Sequence, residues 1–400
     1  MIAWRNLWRN RRRTLFTAGS IAFACLLLMF SRSLQLGSYT GMIDAATELF
    51  AGHAQVQHRD FLDDPRLRYR IDNATDLARQ LASLPGVVQV APRGQAFALL
   101  SVDERSFGAQ VMGVEPAAEQ AISTLPTSLV AGRYLASGDE AYIGSTLARN
   151  LGAAPGDELV VLGTGPEGGV AALAVTVVGI FQTGQVELDR GLVQVPLDTF
   201  QQGFYLDNQV HQLALAVDDL AALETVRGDV EALLPPELAF RSWQQLMPDV
   251  VQAIAIDRAS NRLFYGILVL VVLFSIVNTF IMTVFERTRE FGMLLAIGMR
   301  PWRLIGMLQL EALWLAVLGS VIAGLLAVPM LAWLSQVGIP MAGMEDLMGG
   351  FAFPSHLKAE ISLVQMGAIP LVFVIGCQMS ALLPALRLRR LDPVEALRAD

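Results

Sequence analysis

A dense run of mixed charge in the chain is Glu286-Arg287-Thr288-Arg289-Glu290, and apolar residues follow it at once: Phe291, Leu294, Leu295 and Ile297. These types at this spacing do not build a reaction centre. They predict a short helix, charged first and apolar second, whose exposed apolar patch would hold a partner. Gly298 suits a helix stop and Pro301 the first turn of the next helix. The plainer alternative is a linker embedded among lipid headgroups.

Residues for covalent chemistry are scarce. Lys358 is the one lysine, so no Gly-x-x-x-x-Gly-Lys-[Ser/Thr] phosphate loop can exist and the chain is not its own ATPase of that type. His53 and His58 are oddly spaced and would face opposite sides of a strand, and with His211 and His356 they predict no metal site. There is no nucleophile elbow and no Cys/His pair, so no catalytic residue is assigned. Cys25 and Cys377 read as small buried hydrophobes inside apolar spans, which leaves the region between them without a disulfide. Glu311 is the one acid well placed within an apolar span. A buried acid there is a functional candidate, although its closeness to Arg303 would also let it reach the membrane surface.

The elements that must position these residues are mostly apolar helices. The chain is 54% hydrophobic and 16% charged, with mean hydropathy +0.47, a balance that points to membrane spans combined with a polar domain. The pattern predicts an α-helical membrane protein with four transmembrane helices arranged one plus three, at 14–34, 263–285, 304–334 and 361–386. A large mixed α/β extracytoplasmic domain, residues 35–262, is inserted between the first two. Residues 286–303 form the charged loop helix, 335–360 an outer loop and 387–400 a tail.

Arginines precede the first span (Arg5, Arg9, Arg11, Arg12, Arg13), fill the loop after the second (Arg287, Arg289, Arg300, Arg303) and follow the fourth (Arg387, Arg389, Arg390, Arg398). The positive-inside rule places all three regions, and both termini, in the cytoplasm. The first span lacks a small-x-small cleavage site and reads as an uncleaved anchor. Residues 1–13, with Ile2, Trp4, Leu7 and Trp8 among arginines, fit an amphipathic helix on the membrane surface or a simple basic flank.

Two heptad-like stripes adjoin the spans: Leu36, Tyr39, Ile43, Ala46 and Phe50 after the first, and Trp243, Met247, Val250 and Ile254 before the second. They predict helices continuing outward as a stalk (35–50 and 241–262), or else amphipathic helices of the domain itself. Within the domain, strands are expected at 54–57, 87–90, 97–102, 109–114, 159–162, 175–181, 192–195 and 213–217. Helices are expected at 75–84, 145–151, 197–202 and 219–233, and a projecting hairpin tip at Gly163–Gly169. Gly319, Ser320, Ala323 and Gly324 offer a small-residue face for close helix packing.

The segment from Glu286 to Gly298 resembles the cytoplasmic motif of the FtsX-like, MacB-type ABC transporter permease superfamily. The likeness continues at Gln309-x-Glu311-Ala312 and in the closing Leu391-Asp392-Pro393-Val394-Glu395-Ala396-Leu397-Arg398. Gly179-Ile180-Phe181-Gln182-Thr183-Gly184, with Glu187 and Asp189, and the opening Trp4-Arg5-Asn6-Leu7 are most similar to the lipoprotein-releasing (LolC/LolE) branch.

The resemblance implies a non-catalytic permease in the bacterial inner membrane. Its coupling helix (Glu286, Arg287, Arg289, Glu290, Phe291, Leu294, Leu295, Ile297) would dock a separate ABC ATPase, two copies per complex. ATP and Mg would bind that partner, and no cofactor this chain. Further partners implied are a second permease in a homo- or heterodimer, membrane lipid, and a periplasmic carrier or adaptor; nucleic acid is not expected. Function would be mechanical transmission through the stalk, releasing a lipoprotein or other amphiphilic substrate. FtsX-like control of an envelope enzyme and MacB-like export with an adaptor are the alternatives. Few intramembrane acids and no repeat halves argue against an ion-coupled transporter.

Overall fold

The computed structural model describes residues 11–340 and 356–387, apart from the side chains of Phe50, Ala221, His356 and Arg387. The expected amphipathic helix before residue 11, the closing signature at 391–398 and most of the expected tail lie outside the described residues. The described residues divide into a membrane unit (11–40, 253–340 and 356–387) and an outer unit (41–252).

Among the described residues of the membrane unit, four helices are long and apolar enough to cross a bilayer. They are α1 (Arg11–Ala46), α2 (Pro248–Glu286), α4 (Pro301–Val337) and α5 (Leu363–Arg387); between α2 and α4 lies the short α3 (Thr288–Ala296). Thus α1 and α2 run unbroken from the expected spans into the expected stalk segments. Glu286 closes α2 rather than opening the loop helix, and α4 begins and ends three residues beyond its expected span. The bundle core joins Ala18, Ile21 and Cys25 of α1, Phe280 of α2, Ala316 and Ala323 of α4, and Phe373 and Cys377 of α5. Gly319 sets the α1–α4 approach, since a Cβ there would lie 2.8 Å from Ile21 and 3.0 Å from the Ala18 carbonyl. Ala323 shares that buried face, whereas Gly324 faces open space.

The outer unit is built on ten strands. These are β1 (Ala54–His58), β2 (Val87–Val102), β3 (Arg105–Val114), β4 (Leu129–Gly132), β5 (Glu140–Gly144), β6 (Glu158–Thr164), β7 (Val170–Phe181), β8 (Leu192–Pro196), β9 (Gln212–Val217) and β10 (Leu238–Ser242). Their order is β10-β1-β9-β2-β3-β8-β5-β7-β4, and β6 pairs with both β2 and β7. The path β2-β3-β8-β5-β7-β6 therefore returns to β2 and closes a six-stranded barrel, with β9, β1 and β10 extending from β2 as an open wing. Closure removes free edges from this part of the sheet.

Strand β2 joins the two regions. Val87–Arg93 pair with β9, Arg93–Val102 with β3, and Ala98–Ser101 also with β6. Two separate strands, 87–90 and 97–102, are expected here; the structure runs them together through Pro92. The proline is tolerated because β3 reaches only as far as Arg93, so Pro92 owes no ladder bond on that side. The barrel core contains Leu100, Val111, Ile143, Leu159, Val161, Val177, Val193, Phe200 and Phe204. Phe200 sits over the paired Gly94 and Gly113, where a Cβ would come within 2.3 Å and 2.4 Å of it. The expected hairpin is present as β6–β7, its tip closed by Gly165 N–H to the Gly169 carbonyl at 2.8 Å. Strands β4, β5 and β10 and the helices Pro116–Ile122 and Val186–Gly191 were not expected. All are short, and tertiary pairing rather than a local pattern defines them.

Candidate functional site

The Glu286-Arg287 pair lies where α2 ends and α3 begins, and its two side chains reach in different directions. Glu286 accepts from Arg13 of α1 at 2.5 Å. Arg287 donates to both Glu311 oxygens, on α4, at 3.1 and 3.2 Å. Its Nε also donates to Glu290 at 3.1 Å, and the guanidinium lies 5.1 Å from the Phe291 ring centroid. The root of α3 is thereby held to α1, α2 and α4 together. The Arg287 and Glu311 side chains are 10% and 7% exposed, so their attraction is little screened and removal of either partner strands the other. Glu311 does not extend to the surface beside Arg303; it is the buried counter-charge of Arg287.

The apolar residues of α3 divide differently from the expected patch. Phe291 is fully buried, and Leu294 and Leu295 pack beside it against Val284, Leu304, Ile305 and Leu308. Only Ile297 of the four is exposed, joined on the outside by Met293, Trp302 and the charged Arg289. The sequence motif placed Phe291 in a docking surface because an isolated amphipathic segment looks the same whether its apolar side meets a partner or its own protein. Among the described residues no group of His, Cys, Asp or Glu is arranged to hold a metal ion.

The stalk residues fall into two groups. Ile43, Trp243, Met247 and Val250 belong to the outer unit, where all four join the apolar cluster formed by Val56, Leu215, Phe240 and their neighbours. Leu36, Tyr39 and Ile254 belong to the membrane unit: Leu36 is half-buried and the other two are buried. The Tyr39 hydroxyl donates to Asp257 of α2 at 2.6 Å. Asp257, Gln35 and Arg13 were missed as interacting residues. Polar side chains interrupting an apolar stripe were the available signal for the first two.

A family model for the MacB-like periplasmic core domain matches residues 16–233, over half the chain. A second, for the FtsX-like permease C-terminal region, matches residues 262–393. The chain belongs to the FtsX-like, MacB-type family of ABC transporter permeases. The permease is 25% identical over 371 residues to the lipoprotein-releasing system transmembrane protein LolC of Neisseria meningitidis, covering 88% of this chain and 85% of that protein. It is 23% identical to a LolC of Xylella fastidiosa over 79% of each chain. It is also similar to a macrolide export ATP-binding/permease protein MacB of Bdellovibrio bacteriovorus, 25% identical over 84% of the permease and 50% of that longer protein. The mixed α/β outer unit is thus the MacB-like domain of a multi-pass membrane permease.

Proposed function

We propose that the permease works in the bacterial inner membrane with a separate ABC ATPase, which docks on α3 and whose ATP-driven closure moves the outer unit mechanically. The observation that carries this reading is the root of α3: a displacement there pulls directly on α1 and α4 through Glu286–Arg13 and Arg287–Glu311. ATP and Mg belong to the partner, and two copies of it would serve a permease pair. The arginine-rich ends of the helices and the 286–303 loop face the cytoplasm by the positive-inside rule, together with both termini.

The substrate is proposed to be a lipoprotein or other amphiphile. The likeness to LolC proteins over most of the chain supports this, and so does the outside of the barrel. Phe97 and Leu99 of β2, Val160 and Leu162 of β6 and Val170 of β7 are exposed on adjacent strands. The outer face of a solvated sheet is ordinarily polar; this apolar stretch, bounded by the exposed Glu158 of β6, fits contact with an acyl chain or a carrier. The MacB likeness supports a second reading, export with a periplasmic adaptor. Purification with the ATPase from native membranes distinguishes the two. Co-purifying lipoprotein that leaves on ATP addition supports the first, and a stable adaptor without lipoprotein supports the second. Absence of any ABC ATPase from the purified complex overturns both.

A further inference from the structure

The outer end of α1 is held on opposite sides. On one side lie Gln35 and Tyr39, one helical turn apart. Gln35 Nε2 donates to the Tyr39 hydroxyl oxygen at 2.7 Å and to Asp257 Oδ2 at 3.0 Å; Tyr39 donates to the same Asp257 oxygen at 2.6 Å. The Gln35 carbonyl accepts from Arg32 at 2.5 Å and from the Tyr265 hydroxyl at 3.4 Å. The Arg258 guanidinium lies 5.1 Å over the Tyr39 ring. Gln35 and Tyr39 are buried, and two residues of α2, Asp257 and Tyr265, close the network.

On the other side are Ser33, Gly37 and Thr40, again one turn apart. Ser33 donates its hydroxyl to the Glu360 carbonyl at 2.5 Å, and its own carbonyl accepts from Glu360 N–H at 3.1 Å. Thr40 donates to the Glu360 carboxylate at 2.6 Å. A Cβ on Gly37 would sit 1.8 Å from the Lys358 carbonyl oxygen. The segment before α5 therefore lies directly on the backbone of α1.

At the arginine-rich end, Arg13 and Glu286 join the same two helices, α1 and α2. The two pins are separated by about 40 Å of helix at 1.5 Å per residue. A helix pair fixed at one point can slide or splay about it; fixed at two distant points, it moves as one body. Sliding would require a step along the ridges and grooves of the interface, with simultaneous loss of charge-assisted bonds at both ends. Tilting the pair as a unit breaks neither pin.

We propose that α1 and α2 form a rigid strut, that Tyr39 and Asp257 are the positioning residues of its outer pin, and that motion starting at α3 travels as a tilt of the strut without relative sliding of the two helices. The inference rests on the mechanical reading above and specifies how the motion is carried. It differs from an ordinary stalk of apolar packing, which would let the helices shift register as they moved. The pinned residues sit at the end of the membrane unit: Thr40 is its last residue on α1 and Ala253 its first on α2.

The test uses the full permease with its ATPase in lipid nanodiscs. Cys25 and Cys377 are replaced by Ala, and the paired variant Tyr39→Cys with Asp257→Cys removes the native pin. A short bifunctional methanethiosulfonate reagent then restores a link that dithiothreitol cleaves. ATP-driven motion is read as the change in labelling rate of a strained-alkene amino acid placed at Gly168, which reacts with a tetrazine fluorophore and not with thiol reagents. The expected result has three parts: the unlinked pair still hydrolyses ATP but loses the labelling change at least threefold, linking restores it to within twofold of the parent, and linking yield is equal with and without trapped nucleotide. Asp257→Asn, which keeps the shape of the network, gives a partial loss. A linked complex in which hydrolysis falls tenfold and recovers on reduction means the helices must slide, and overturns the strut. An unlinked pair with a normal labelling change overturns the positioning role. A parent complex whose ATPase is unaffected by the permease overturns the mechanical reading itself, a distinct outcome.

Discussion

Arg287 Nη1 lies 3.1 Å from Glu311 Oε1, between the root of α3 and the first third of α4, with both side chains almost wholly covered. Loss of one partner leaves a charge in a site that water cannot enter freely, at a cost of about 3–5 kcal/mol. Arg287→Ala and Glu311→Ala are each expected to lower the unfolding midpoint of the permease in detergent. The double replacement Arg287→Met with Glu311→Leu is expected to recover most of that stability, because matched apolar groups tolerate such a site. It should not recover permease-dependent stimulation of the ATPase. Recovery of both would make the pair a structural brace without a part in transmission.

Docking should follow exposure rather than the apolar motif. Met293→Asp and Ile297→Asp alter side chains that are 51% and 79% exposed and are expected to detach the ATPase in pull-downs while leaving the melting profile within a few tenths of a kcal/mol. Leu294→Asp and Leu295→Asp would place a charge against the Phe291 cluster and lower stability first. Retention of the ATPase by the double variant Met293→Asp with Ile297→Asp would move the docking surface elsewhere.

His211 makes the outer unit sensitive to mild acid. Its Nδ1 accepts from Gln95 N–H at 2.9 Å, its Nε2 faces the Leu67 carbonyl, and it is enclosed by Phe61 and Phe200. Burial pushes its pKa down to about 4, with the Arg70 charge lowering it further and the Leu67 hydrogen bond opposing. The unfolded chain takes up a proton near pH 6.5 and the folded one only near 4. The stabilising effect of a neutral His211 is therefore complete above about 6.5 and is lost as pH falls through that window, some 3 kcal/mol in all. Thermal unfolding between pH 7 and 4.5 should show the slope, and His211→Gln should flatten it; an unchanged slope would assign the sensitivity to other groups.

The orientation drawn from the arginines is checked by thiol labelling. Gly168→Cys at the β6–β7 tip is expected to react in intact cells with a reagent that cannot cross the inner membrane. Gly298→Cys, after α3, should react only once that membrane is opened. The reverse order would invert the topology.

Ile43 and Val250 join one apolar cluster of the outer unit. Paired cysteines there, or at near neighbours, are expected to link within a protomer and to leave ATP hydrolysis running. Links found solely between protomers, seen as doubled mass on non-reducing gels, would mean that each stripe serves a neighbouring copy.

Long-range hydropathy made the membrane helices legible, since some twenty consecutive apolar residues have few alternatives to a span. The hairpin at Gly163–Gly169 was legible from its glycines, and the continuation of α1 through Tyr39 and Ile43 from its spacing. The closure of the barrel was not. Nothing local to Leu99 or Val161 announces that β6 turns back to β2, and β5 has only five residues. At the candidate site, the motif located Glu286 and Arg287 but not their partners, because Arg13 and Glu311 are distant in sequence. It also misdirected Phe291, whose apolar character says that it is covered without saying by what.

The course of β2 has a consequence for compliance. Many two-lobed domains are joined by loops or by packed side chains, and a torque on one lobe is partly spent in rotation at the joint. Here sixteen consecutive residues run through wing and barrel as one strand, so the joint is made of peptide bonds and ladder hydrogen bonds. Twist applied to the wing reaches the barrel without backlash, and the two parts should unfold in a single cooperative step.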